Sequence, residues 1–109
     1  MTYEEFIDNI LKTRGRFACG DVYCEGHDIV PRCMGGTNDE NNLIDLFARE
    51  HYEAHRLLMR ENPNNNSLIY AWTMMSFAKK GERKYKVTPE EYEEAKRLLS
   101  KSMTGKIVS

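Results

Sequence analysis

Residues 32–42 read Arg-Cys-Met-Gly-Gly-Thr-Asn-Asp-Glu-Asn-Asn, and this run constrains the fold more than any other feature of the chain. Gly, Asn and Asp are residues of turns and left-handed backbone, so the segment is a long loop and not a helix or a strand. Its flanks are extended in pattern. Residues 22–30 read as a strand closed by Pro31, and residues 43–46 as a second, shorter one. Residues 48–61 follow as a helix, ended by Asn62-Pro63-Asn64-Asn65-Asn66. The middle of the chain, about residues 21–61, is therefore one strand–loop–strand–helix unit.

Helices flank that unit. Thr2 with Glu5 three residues later is a capping box, and Phe6, Ile7, Ile10 and Leu11 recur at helical spacing, so residues 2–13 form a first helix. Residues 67–80 carry Ile69, Trp72, Met75 and Phe77 nearly all round, the pattern of a buried helix. Thr88-Pro89-Glu90-Glu91 combines an N-cap, a first-turn proline and a capping glutamate, and opens a helix over residues 88–104 that ends before Gly105. With 109 residues, the chain fits a single domain over 1–109. A domain this small buries a modest core, which a bound metal ion or a partner can reinforce. The fold class is α+β.

Charge is unevenly distributed. The formal net charge is −1, but residues 79–106 hold nine Lys and Arg against five Glu, a local balance of +4, and the remainder balances at −5. A basic carboxy-terminal segment can touch a phosphate backbone; the blander reading is a solvated helix surface. No apolar run approaches the roughly 20 residues of a membrane span. The acidic, amphipathic amino terminus is not a signal peptide. Three cysteines, Cys19, Cys24 and Cys33, cannot all pair within one chain, which favours reduced thiols. A cytoplasmic location is the default expectation.

The chain has three histidines, His27, His51 and His55, and all fall in the central unit. His51 and His55 stand four apart on the helix and share one face, which also carries Ala48 and Leu58. His27 stands on the preceding strand. Three imidazoles in such a unit suit a divalent metal site; the alternative is two half-buried core histidines and an unrelated third. A rival metal reading takes Cys19 and Cys24 with His51 and His55 as a zinc set, although the gap between the halves is far longer than that of a zinc finger.

The stretch over residues 23–58 resembles the HNH motif of small phage-encoded endonucleases. That pattern runs Glu-x-His-His-Ile-x-Pro-Arg, then a Gly-Gly loop, Asn-Leu, and Arg-Glu-His-x3-His-x-Leu-Leu. Here it reads Glu-Gly-His-Asp-Ile-Val-Pro-Arg, then Gly-Gly, Asn-Leu, and Arg-Glu-His-Tyr-Glu-Ala-His-Arg-Leu-Leu. So many fixed spacings make a specific signal. The flanking Leu-Ile-Tyr-Ala and Glu-Glu-Tyr-Glu segments also look like that group, more loosely.

The resemblance implies a ββα-metal core with flanking helices. It implies that His27, at the first position of the family's catalytic pair, binds a divalent metal ion (Mg, Mn, Zn or Ni) with His51 and His55; colicin nuclease domains use the same His-x3-His arrangement. It implies that Asn42 braces the long loop. The next position departs from the family, which has a general-base His where this chain has Asp28. Carboxylates titrate at about pH 4, and such a base is weaker than one tuned to the working pH. Phe47 is a lesser departure, standing where the family often has a helix-capping Thr.

The expected function is metal-dependent hydrolysis of DNA phosphodiesters by a phage-encoded enzyme in an infected bacterial cell. Arg32, Arg49 and Arg56 are candidate phosphate contacts. One alternative is an impaired domain that keeps its metal and grips DNA or a protein without cutting; another is a zinc-stabilised interaction domain. The tail at residues 100–106 resembles the point where longer relatives continue into DNA-binding repeats.

Overall fold

The computed structural model of the chain describes residues 1–17, 20, 22–80 and 83–108, and the side chains of these outside 77–86 and 99–108. Helix α1 (Tyr3–Thr13) leads to strand β1 (Cys24–Asp28), the long loop, strand β2 (Leu43–Phe47) and helix α2 (Ala48–Glu61). Helix α3 (Asn66–Ser76), strands β3 (Phe77–Lys80) and β4 (Arg83–Lys86), and helix α4 (Pro89–Val108) complete the order. The architecture is α+β, with two separate two-stranded antiparallel sheets, β1–β2 and β3–β4, among helices. None of its helices is long and apolar enough to cross a membrane, among the described residues.

Local chemistry sets the element ends. The hydroxyl of Thr2 accepts from the Glu5 N–H, and the Glu5 carboxylate accepts from the Thr2 N–H, closing the capping box at α1. Phe47 has no oxygen with which to cap α2, so Glu50 makes half of a box alone, accepting from the Phe47 N–H at 2.8 Å. The same Glu50 carboxylate pairs with Arg14 at 2.7 Å, and the Arg14 guanidinium lies over the Phe47 ring.

β1 and β2 pair so that His27 faces Ile44 across the ladder and Asp28 faces Leu43. Alternation along β2 buries Ile44 and Leu46, as expected of a strand with one face on the core. These two residues meet Ile7 and Ile10 of α1 and Ala54 of α2 in the main core cluster. One face of the β1–β2 pair thus meets residues of both helices, with its loop at one end.

Three expectations for the second half are corrected. The helix expected over 67–80 ends at Ser76, and residues 77–80 pair with 83–86 as a β-ribbon. A glycine and one further residue between two runs is the sequence signal of a two-residue hairpin loop, and Gly81-Glu82 carries it. Nor is α3 buried: only Leu68 and Ser76 are, while Tyr70 and Met74 are exposed. The last helix passes Gly105 and reaches Val108. One glycine inside a helix costs about 1 kcal/mol relative to alanine, which weakens a helix without obliging it to stop.

Candidate metal centre

The loop fixes the approach to the site. Gly35 adopts a left-handed backbone, φ 92°, closing a short 3-10 turn over Arg32–Met34. Gly36 lies so close to the Val30 carbonyl that a Cβ there would stand 1.7 Å from its oxygen. The Gly-Gly pair therefore answers two separate demands, conformation and close approach. Asn42 ties the loop together. Its side-chain oxygen accepts from the Val30 N–H at 2.8 Å, and its amide donates to the carbonyls of Val30 at 3.0 Å and Thr37 at 2.9 Å.

The three histidines converge. Each offers a ligand atom, and these atoms lie within 4.8 Å of one another. His51 Nε2 and His55 Nε2 stand 3.1 Å apart. Two nitrogens bonded to one ion at about 2.0–2.1 Å, with roughly 100° between them, are separated by about that distance. His55 Nδ1 is buried without a hydrogen-bond partner among the described residues. The donor set therefore fits one divalent cation. Cys24 and Asp28 are not in this cluster. Cys19, the other half of the rival zinc set, lies outside the described residues.

Hydrogen bonds around the cluster orient the rings. The Tyr3 hydroxyl donates to the Ile29 carbonyl at 2.6 Å, so it accepts from His27 Nε2–H at 2.7 Å. That leaves Nδ1 of His27 as its bare nitrogen. Glu25 accepts from His51 Nδ1–H at 3.0 Å, which leaves Nε2 bare. Glu25 also accepts from the hydroxyls of Tyr92 at 2.9 Å and Tyr23 at 2.8 Å. An acceptor on the second nitrogen fixes the tautomer and direction of a metal-binding imidazole.

Electrostatics keep the His27 and His55 rings neutral. Burial, with the neighbouring His51 and His55, holds His27 well below the usual histidine range. Burial, then His51, lowers His55 to about 4, against a weaker upward pull from Glu25. For Glu25 burial pushes upward, but hydrogen bonds from His51, Tyr23 and Tyr92 outweigh it and hold the carboxyl at about 2. Tyr3 and Tyr92 are pushed up, chiefly by burial. Two neutral imidazoles beside an ionised carboxylate form a receptor for a cation.

A cleft of about 320 Å³ opens over these groups, lined by Gly26, His27, Asp28, Pro31, Arg32, His51 and His55. Asp28 is partly exposed, and its carboxylate lies 4.0 Å from the Arg32 guanidinium. Arg32 is otherwise open to solvent, with a hydrogen bond to Asn38. Arg49 and Arg56 lie elsewhere. Arg49 lines a depression with Glu50, Glu53 and Glu90, and Arg56 pairs with Glu53 at 2.8 Å.

The chain is 37% identical over 110 residues to Probable mobile endonuclease E of Enterobacteria phage T4, an alignment covering 100% of this chain and 77% of that protein. The chain belongs to the phage mobile endonuclease family. A second mobile endonuclease, Probable mobile endonuclease D of the same phage, is 38% identical over 110 residues, covering 93% of this chain and 41% of its own length. The chain thus spans less than half of that relative. Probable mobile endonuclease B is 55% identical over 38 residues, covering 35% of this chain and 14% of its own. No protein-family model matches the chain, and no solved structure matches it significantly.

Sequence reasoning missed Tyr3, Glu25 and Tyr92. For Glu25 a signal existed: it stands two residues before His27, and alternate residues of a strand share a face. Tyr3 and Tyr92 come from the flanking helices, and no local pattern marks them.

Proposed function

We propose that this mobile endonuclease relative is a divalent-metal-dependent HNH nuclease that hydrolyses DNA phosphodiester bonds on a ββα-metal core. The observation that carries the reading is the convergence of three imidazoles, whose ligand atoms lie within 4.8 Å of one another. Membership of a family whose named members are mobile endonucleases supports it. A divalent ion bound there supplies Lewis-acid stabilisation of the pentacovalent phosphate and of the leaving 3′ oxygen.

The chain's own groups have separate tasks. His27, His51 and His55 hold the ion, and Tyr3 and Glu25 keep their rings aimed. Asn42 holds the loop that forms one wall of the cleft. Asp28, at the cleft wall, takes the proton of the attacking water. Arg32 beside it offsets the repulsion between that carboxylate and a phosphodiester, and itself contacts phosphate. Arg49 and Arg56, outside the cleft and beside carboxylates, serve at most the periphery of a bound duplex.

A second reading, a domain that holds metal and DNA without efficient cleavage, is favoured by Asp28 itself, since a carboxylate is a weaker base than imidazole at neutral pH. Nicking of supercoiled plasmid separates the two. The parent protein should nick in the presence of a divalent ion and not in EDTA, and His51→Ala should lose both metal binding and nicking. A parent that binds metal and DNA yet never nicks supports the second reading, and an unchanged metal affinity in His51→Ala refutes the site.

A further inference from the structure

The positive charge toward the carboxy terminus does not belong to the last helix. Of the nine Lys and Arg in residues 79–106, Lys79, Lys80, Arg83, Lys84 and Lys86 all fall in the β3–β4 ribbon, with Glu82 the one acid of residues 77–86. The other four are matched by Glu90, Glu91, Glu93 and Glu94. The whole +4 excess therefore sits on the ribbon, while the helix is balanced over the same span.

The register sharpens the point. Lys79 stands opposite Lys84, and Lys80 opposite Arg83. Successive positions on a strand belong to opposite faces, so each face of the ribbon carries a cation–cation pair. Like charges directly opposite one another destabilise a strand pair, and an isolated two-stranded hairpin is marginal to begin with. Folding offers no reason for such pairs, whereas a polyanion that neutralises them does.

The base of the ribbon is pinned near the histidines. Val87, which follows β4, donates its N–H to the Ser76 carbonyl at 2.7 Å and accepts at its own carbonyl from the Tyr52 hydroxyl. Tyr52 is buried on α2, next in sequence to His51. Whatever the ribbon holds is thus held relative to the helix that carries two of the three imidazoles.

We propose that the β3–β4 ribbon is a DNA-backbone grip outside the cleft, in which Lys79, Lys80, Arg83 and Lys84 neutralise phosphates of the substrate duplex. A two-stranded ribbon is narrow enough to enter a major groove, where phosphates flank it on both sides. Phosphate neutralisation carries no sequence information, so the grip adds affinity without preference for a site. This inference rests on reading the histidine cleft as a DNA nuclease site.

The test is equilibrium binding of a fluorescein-labelled duplex in EDTA, read by anisotropy over a range of salt. Two variants, Lys79→Gln with Lys84→Gln and Lys80→Gln with Arg83→Gln, are compared with the parent for binding, thermal midpoint and, with metal, plasmid nicking. Each lost phosphate contact removes about 0.9 from the slope of log K against log salt, or roughly eight-fold in affinity at 0.1 M salt. A double variant should therefore bind about 60-fold more weakly at 0.1 M salt, with a shallower slope and a thermal midpoint no lower than the parent's. Unchanged slope and affinity in both variants overturn the grip, and continued nicking by the parent then leaves the nuclease reading standing. Weaker binding accompanied by a lower thermal midpoint assigns the pairs to the fold and also overturns it. Absence of any DNA binding or nicking by the parent removes both readings together.

Discussion

Asn42→Ala removes three hydrogen bonds at once from a residue that is 9% exposed. The Val30 N–H loses its acceptor, and the carbonyls of Val30 and Thr37 each lose a donor. A typical intramolecular hydrogen bond contributes about 0.5–1.5 kcal/mol net, and a buried donor left unpaired costs about 1–3 kcal/mol. Three partly buried bonds therefore sum to about 3 kcal/mol. Small domains hold about 5–15 kcal/mol in total, so the variant still folds. Urea unfolding should show a lower midpoint at unchanged slope, because the surface exposed on unfolding is the same. Amide exchange should accelerate at Val30 and through residues 32–38, while amides of α2 stay protected. Asn42→Asp is the sharper companion: it keeps the acceptor for Val30 but sets a carboxylate against two carbonyls, and should cost at least as much as alanine. A loss below about 1 kcal/mol with unchanged loop protection would refute the bracing argument.

Glu25→Gln should weaken divalent metal binding by about 10- to 100-fold in calorimetry, the usual effect of losing the acceptor behind a metal-binding imidazole; an affinity within two-fold of the parent, roughly, would show that His51 needs no such support. Asp28→His should nick supercoiled plasmid at least about ten-fold faster than the parent at neutral pH, since a well-placed general base contributes about 100- to 10,000-fold. Asp28→Ala should be no faster than the parent, and a faster alanine variant would mark the carboxylate as an obstacle. Stability of the metal-free protein should fall with acid. Free histidine titrates at about 6.5 and His55 in the fold at about 4, so below the former the unfolded chain takes the proton first. The contribution is present above about pH 6.5 and lost as pH falls to about 4, by at most about 3 kcal/mol. His55→Gln should flatten unfolding curves over that window, and an equally steep profile would exclude His55 as the cause.

The parts of this chain legible beforehand were those written in local pattern. Thr2 and Glu5 announce α1, and the Asn-rich run after Glu61 announces the end of α2. The clustering of His27, His51 and His55 is legible because a strand, a loop and one helix face have few ways to place them. The ribbon is not legible from its apolar residues, since Phe77 and Ala78 extend the helical pattern of α3; the sequence signal is Gly81-Glu82 between two lysine-rich runs. Arg49 and Arg56 stand, by helical periodicity, away from the face shared by His51, His55 and Leu58. Tyr3, Glu25 and Tyr92 depend on how distant elements pack, which periodicity does not encode.

The hydroxyl of Tyr92 reaches a carboxylate 67 positions earlier in the chain, and that of Tyr3 reaches an imidazole 24 positions later. Those two bonds bracket the site in time as well as in space. During synthesis the three histidines leave the ribosome well before Tyr92 does, so Glu25 at that stage lacks one of its three donors and His51 is the less firmly held. On the proposed reading of the three histidines as a metal site, full affinity for the ion requires α4 docked against α2, where Tyr92 completes the donors to Glu25.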